Sequence, residues 1–166
     1  LHADSVTRMP QEIVGDFLLA KWNEKADGKP ILFLVHIDTV HPIGTLEHFP
    51  VRQEDGTYYG PGAFDMKGGF IIATEAIRGL QALGQFPNRP IHFMVTTDEE
   101  VGSPYSEAVI KEAAAGCELA LVLEPATPEG AIKTSRKGGG KYTLTIGGRA
   151  SHAGVAPQQG INAIIE

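Results

Sequence analysis

Three largely apolar runs in this chain end in side chains that bind metal ions or move protons. ILFLV at 31–35 leads into His36 and Asp38 (VHIDTV), and IHFMVTT at 91–97 leads into Asp98, Glu99 and Glu100 (TTDEEVG). LALVL at 119–123 ends at Glu124 (VLEP), and a further carboxylate, Asp65, lies in GPGAFDMKGG between a glycine-rich loop and a helical segment. Singly, each has an ordinary explanation: a histidine after a strand is usually structural, acidic residues suit helix starts, and Asp65 could cap the helix near Lys67. Together they do not. Gathering that many carboxylates in one cleft costs on the order of several kcal/mol in repulsion and desolvation unless a cation neutralises them. Imidazole plus carboxylate without thiolate suits zinc, with cobalt or manganese as alternatives. The i, i+2 spacing of His36 and Asp38 keeps both on one side of an extended backbone. Asp38 can then accept the second ring N–H of His36 and fix its tautomer. Adjacent glutamates diverge, so one of Glu99 and Glu100 can bind metal while the other faces water as a general base.

The elements that must present these residues are legible from periodicity. The runs 31–35 and 91–97 read as buried strands, the first covered on both faces, and LALVLE (119–124) reads as a third strand. GGFIIATEAIRGLQALG (68–84) places Ile71, Ile72, Ala76, Leu80 and Leu83 at helical spacing, and SEAVIKEAAAG (106–116) reads as a second helix. Residues 11–23 (QEIVGDFLLAKWN) also have helix-like spacing, and the Gly- and Pro-rich stretch 41–62 reads as loop with a short hairpin near Glu54–Thr57. Strands alternating with helices imply an α/β domain over residues 1–137, a mostly parallel sheet with helices on both faces. Such sheets bind ligands beyond the carboxyl ends of their strands, where the polar residues fall. From Gly138 the character changes. The glycines 138–140 read as a hinge, and KYTLTIGG (141–148) alternates like a half-buried strand, so 138–166 is expected to begin a second domain.

Other chemistries are poorly supported. A net charge of −6 without a basic stripe argues against nucleic acid, and the apolar runs are too short to span a bilayer. Cys117, the single cysteine, excludes an internal disulfide and reads as a buried, inert thiol. The sequence contains no G-x-S-x-G nucleophile elbow and no Walker-type loop. No signal-peptide pattern occurs in the first thirty residues, which suggests a cytoplasmic location. The chain starts without Met and stops at Glu166 inside a periodic segment, as expected of a piece of a longer protein.

The ordered blocks HIDTVHPIGT, GPGAFDMKGG, TTDEEVGS, LEPA and GGRASHAGVAPQQGINAI resemble the metallopeptidases that include glutamate carboxypeptidase, acetylornithine deacetylase and succinyl-diaminopimelate desuccinylase. The resemblance covers roughly residues 31 to 166 and implies a zinc exopeptidase-like catalytic domain followed by a smaller α+β lid that forms a homodimer. It implies two zinc ions: His36 and Glu124 as ligands of one, Asp65 bridging both, and Glu100 on the second, whose histidine would come from beyond position 166. Glu99 would be the base that deprotonates the water between the metals, and Asp38 would orient His36. His152, in Ser151-His152-Ala153-Gly154, would reach a partner subunit's active site and polarise the substrate carbonyl. Glu at 124 resembles the carboxypeptidase and deacylase members more than the aminopeptidases, and HIDTVHPIGT together with TSRKGGGKYTLTIGGRASHAG looks most like the glutamate-carboxypeptidase type. That implies hydrolysis of a peptide or N-acyl amino acid releasing a C-terminal amino acid such as glutamate. The rival expectations are an N-acyl amino acid deacylase and a non-catalytic relative that keeps the fold for binding or dimerisation.

Overall fold

The computed structural model describes residues 1–165 and divides into two compact units, Leu1–Gly130 and Ala131–Glu166; Glu166 itself, the last residue of the NAIIE segment, lies outside the described residues. The first unit is built on a five-stranded sheet that begins with β1 (Ser5–Met9), β2 (Phe17–Trp22) and β3 (Ile31–His36), after which a hairpin intervenes in the chain. That hairpin is β4 (Arg52–Glu54) and β5 (Thr57–Tyr59), closed through Asp55 and Gly56, both at positive φ. The remaining sheet strands are β6 (Ile91–Thr96) and β7 (Leu119–Val122).

The sheet order is β1-β2-β6-β3-β7. β3 lies parallel to both β6 and β7, in register Ile31↔Ile91 and Ile31↔Leu119, whereas β2 runs antiparallel to β1 and β6. Only β2 is reversed, so the sheet is mostly parallel, as the alternating pattern implies. Helix α1 (Gly68–Ala82) follows the loop that carries Asp65, and α2 (Glu107–Ala115) follows the turn that carries Glu99 and Glu100. Parallel strands deliver their carboxyl ends to one edge, so His36, the residues after Thr96 and those after Val122 emerge together.

The core explains the pairing. Val35, Phe93 and Val95 share one sheet face and pack with Ala73 and Ile77 of α1, with Phe70 joining through an edge-on contact to Phe93. Leu32 and Met94, displaced by one residue along the same strands, are fully buried on the other face. The runs 31–35 and 91–97 are thus covered on both sides.

Three sequence expectations need correction. Residues 11–23 do not form a helix: Phe17–Trp22 is a strand, preceded by bends. Gly15 weakens any helix there, while FLLAKW pairs along its length with β6 and buries Phe17 and Trp22. The helix over 68–84 is present, but its buried side is Ala73 and Ile77; Ile71, Ile72 and Leu83 are exposed. Residues 141–148 form no strand, and Tyr142, Leu144 and Ile146 are exposed. Period-two alternation needs a hydrogen-bonded neighbour to become a strand, and among the described residues none lies beside this segment. The second unit contains an isolated bridge between Arg149 and Ile161 and a short 3-10 turn, Pro157–Gln159.

Cys117 is half-buried, its thiol donating to the Ala113 carbonyl, and burial pushes its pKa up. No helix among the described residues is long and apolar enough to cross a membrane.

Candidate metal centre

His36 closes β3 and is 2% exposed. Its backbone N–H meets the buried Met66 sulfur at 3.1 Å, and the next amide, that of Ile37, donates to Thr96 O on β6 at 3.0 Å. The side chain is held as firmly. Nδ1 lies 3.2 Å from the backbone carbonyl of Asp38 and 3.4 Å from its Oδ1. The carbonyl at Nδ1 suits a proton on that nitrogen, which would leave Nε2 as the atom to meet a cation.

Nε2 faces three carboxylates from three chain segments: Asp65 Oδ1 at 3.2 Å, Glu124 Oε1 at 3.3 Å and Glu99 Oε2 at 3.8 Å. Asp65 projects from a kinked turn, Ala63–Lys67, whose backbone leaves helical geometry at Asp65 and Met66. Glu99 and Glu100 begin a 3-10 turn, Glu99–Val101, at the end of β6. Asp38 does more than orient the imidazole. Its Oδ2 accepts the backbone N–H of Glu100 at 3.0 Å, which ties this turn to the end of β3.

The electrostatics follow from crowding. Burial pulls the His36 imidazole down, but the charges of Glu124, Asp38, Glu99 and Asp65 outweigh it and leave its pKa above the ordinary value. Burial, then the neighbouring Asp65 charge, pushes the Glu124 carboxyl up, and His36 offsets this only in part. The site calls for positive charge at Nε2. A divalent cation fits the donor set: His36, Glu99 and Glu124 can offer ligand atoms within 4.8 Å of one another, as can His36, Asp65 and Glu100. Both groups use the same imidazole, and one ring nitrogen binds one ion. Among the described residues the two groups therefore overlap at His36 and together span Asp65, Glu99, Glu100 and Glu124.

The structure thus brings together His36, Asp38, Asp65, Glu99, Glu100 and Glu124. It separates Asp98 from them. Asp98 is 1% exposed, and its Oδ2 accepts the N–H groups of Tyr105 and Ser106 at 2.8 and 3.0 Å, anchoring the start of α2. His152 belongs to the second unit, where it is exposed and accepts the Gly154 N–H at Nδ1, 3.2 Å away. An open concavity of about 460 Å³ there is lined by Arg149, Ser151, His152 and Gln159.

One contributor carries no reactive group. A Cβ on Gly69 would stand 1.9 Å from the backbone oxygen of Leu123, the residue before Glu124. A glycine at this place in a helix permits close backbone approach, and that was the only signal the sequence offered.

Residues 32–165 match the pattern described as Peptidase family M20/M25/M40. The chain belongs to this family. Among curated relatives it is 37% identical over 156 residues to carboxypeptidase G2 of Pseudomonas sp. (strain RS-16), covering 93% of this chain and 37% of that protein. It is 32% identical over 144 residues to succinyl-diaminopimelate desuccinylase of Maricaulis maris (strain MCS10), covering 80% of this chain and 36% of that one. The chain therefore spans little more than a third of these M20 relatives. Solved structures agree on the fold: aminopeptidase PepT of Bacillus cereus superposes with a TM-score of 0.63 at 23% identity, covering 96% of this chain and 44% of its own. An M20 family metallo-carboxypeptidase of Sulfolobus solfataricus gives 0.60 at 21%, covering 75% and 30%.

Proposed function

We propose that the protein carrying this chain is a zinc-dependent hydrolase of amide bonds that releases a C-terminal amino acid, such as glutamate, from a peptide or N-acyl amino acid. One observation carries the reading: a buried imidazole whose Nε2 meets carboxylate oxygens from three chain segments within 3.8 Å. His36, Asp65, Glu100 and Glu124 would hold the metal, which when bound would polarise the scissile carbonyl and acidify water. Asp38, whose backbone carbonyl lies 3.2 Å from Nδ1 and whose Oδ1 lies 3.4 Å away, would keep the proton of His36 on Nδ1 and leave Nε2 as the ligand. Glu99 is the general base. Its carboxylate stands farther from Nε2 than those of Asp65 and Glu124 and is half-exposed, which suits a group beside the cation that takes a proton from attacking water and hands it to the leaving amine.

Similarity to carboxypeptidase G2 supports a substrate with a free carboxylate beside the scissile amide. The desuccinylase and deacetylase relatives support the second reading, removal of an acyl group from an amino acid. His152 is proposed to act from a lid in a homodimer, donating to the oxyanion at the partner's centre. The decisive experiment is Glu99→Ala in the whole protein. Metal content should stay at the native value while turnover of an N-acyl glutamate falls by about two to four orders of magnitude. Near-normal turnover would refute the assignment.

A further inference from the structure

Two loops meet at the pair His36–Asp65: residues 37–39 behind β3, and residues 62–67 ahead of α1. Lys67 spans them. Its Nζ donates to the backbone carbonyl of Ile37 at 3.2 Å, in the peptide that links His36 to Asp38. Its own backbone N–H donates to Gly62 O at 2.9 Å, closing the turn from which Asp65 projects. Gly62 makes room for this arrangement, because a Cβ there would stand 2.4 Å from Nζ and 2.6 Å from Thr39 Cγ2. The φ of +69° at Gly62 disfavours a side chain independently of that crowding. Among the described residues, no carboxylate lies within ion-pair distance of Nζ, so the ammonium serves the carbonyl rather than a salt bridge.

We infer that Lys67 is a positioning residue: its ammonium clasps the Ile37 carbonyl, with Gly62 as the floor beneath it, and so fixes the distance between His36 and Asp65. The inference rests on the metal-hydrolase reading above and adds to it a residue that touches neither metal nor substrate.

The sign of one measurement separates this role from simple charge. A cation that acted only through its field would oppose a second cation nearby, so neutralising it would tighten metal binding. Loss of a clasp does the reverse. The test is Zn²⁺ titration of the whole protein, competed against a chelating dye, for wild type and Lys67→Met, which keeps the length of the stem and removes the donor. Affinity should fall about 10–100-fold, the usual cost of losing a group that orients metal ligands, with the number of ions bound at saturation unchanged. At saturating Zn²⁺, kcat should fall while KM holds. Lys67→Gln, whose shorter arm cannot reach Ile37, should give the same sign and serves if Lys67→Met does not fold. Equal or tighter binding in either folded variant overturns the clasp alone. A wild-type protein that binds no Zn²⁺ overturns the metal-hydrolase reading and the clasp with it.

Discussion

The imidazole of His36 is 2% exposed, flanked at Nδ1 by Asp38 and at Nε2 by Asp65, Glu124 and Glu99. That of His152 is exposed, in a unit whose described residues form only a bridge and a short turn, and its ring accepts one backbone N–H. Folding of the first unit fixes the surroundings and aim of His36, because parallel strands bring distant chain segments to one edge. Among the described residues of the second unit, none fixes His152 to a comparable degree. A reactive side chain there gains its geometry from whatever it docks against, which is the proposed role of the lid.

The largest effects should separate these two histidines. His36→Ala should abolish metal binding and reduce hydrolysis to background, since His36 is the one imidazole in both candidate ligand groups; metal analysis after dialysis checks it. His152→Ala should leave metal content unchanged and lower kcat about 10²–10³-fold, as for loss of an oxyanion donor. Mixing Glu99→Ala chains with His152→Ala chains should then restore part of the activity, because a mixed dimer holds one site with both residues intact. Inactivity of mixed dimers that demonstrably form would show that His152 does not act across subunits.

Asp38→Asn sharpens the His36 side. Asp38 Oδ2 accepts the Glu100 N–H, while Oδ1 stands 3.4 Å from His36 Nδ1 as a negative charge beside the ring, whose hydrogen-bond partner is the Asp38 backbone carbonyl. An amide that keeps its oxygen on the Glu100 N–H turns its NH2 toward Nδ1, where it brings no charge and cannot accept. Metal affinity should fall about 10–100-fold, measured by the same dye competition; affinity equal to wild type would mean that the charge beside the ring is dispensable.

The cluster was legible before the fold because His36 and Glu124 each follow a continuous apolar run that reads as a strand. Only the first of these runs is buried: Leu32 and Val35 are covered, whereas Leu119, Leu121 and Val122 of β7 are exposed. Lys67 and Gly69 were not legible as contributors, since a backbone contact 30 or more residues away leaves no trace in local pattern. The strand Phe17–Trp22 was misread for a related reason: its apolar spacing suits a helix, and pairing with β6 overrode it. Asp98 was grouped with Glu99 and Glu100, yet neighbouring residues after a strand diverge, and it turned inward to hold the Tyr105 and Ser106 amides.

Two glycines of one helix test the backbone contribution at a smaller scale. Gly79 has open space where a Cβ would stand, so Gly79→Ala should stabilise by about 0.5–1 kcal/mol through helix propensity. Gly69→Ala should instead destabilise by about 1–3 kcal/mol, because the new methyl displaces the Leu123 carbonyl. It should also weaken metal binding through Glu124. Urea unfolding of both variants gives the signs, and stabilisation by Gly69→Ala would show that strand and helix separate without cost.

The smallest effect concerns a third histidine, which tests whether surroundings alone decide how an imidazole titrates. His92 lies on β6, opposite Lys21 of β2 in the ladder. Burial, then the Lys21 charge, holds its pKa below the ordinary value, with Glu24 opposing in part. His36, among carboxylates, is shifted the other way. The folded state therefore resists protonating His92, while the unfolded chain takes up that proton near pH 6.5. Below that pH the unfolded state binds more protons, so the contribution of His92 to stability is full above about pH 6.5 and is lost as pH falls through the folded value. In metal-free protein His36 has the opposite sign: its contribution is full below about pH 6.5 and is lost as pH rises through its raised value. His92→Gln removes the first dependence and leaves the second. Urea unfolding at pH 7.5 and 5.5 should show wild type losing stability relative to His92→Gln on acidification. An unchanged difference between the two proteins at both pH values would mean that Lys21 and burial do not perturb His92 enough to matter.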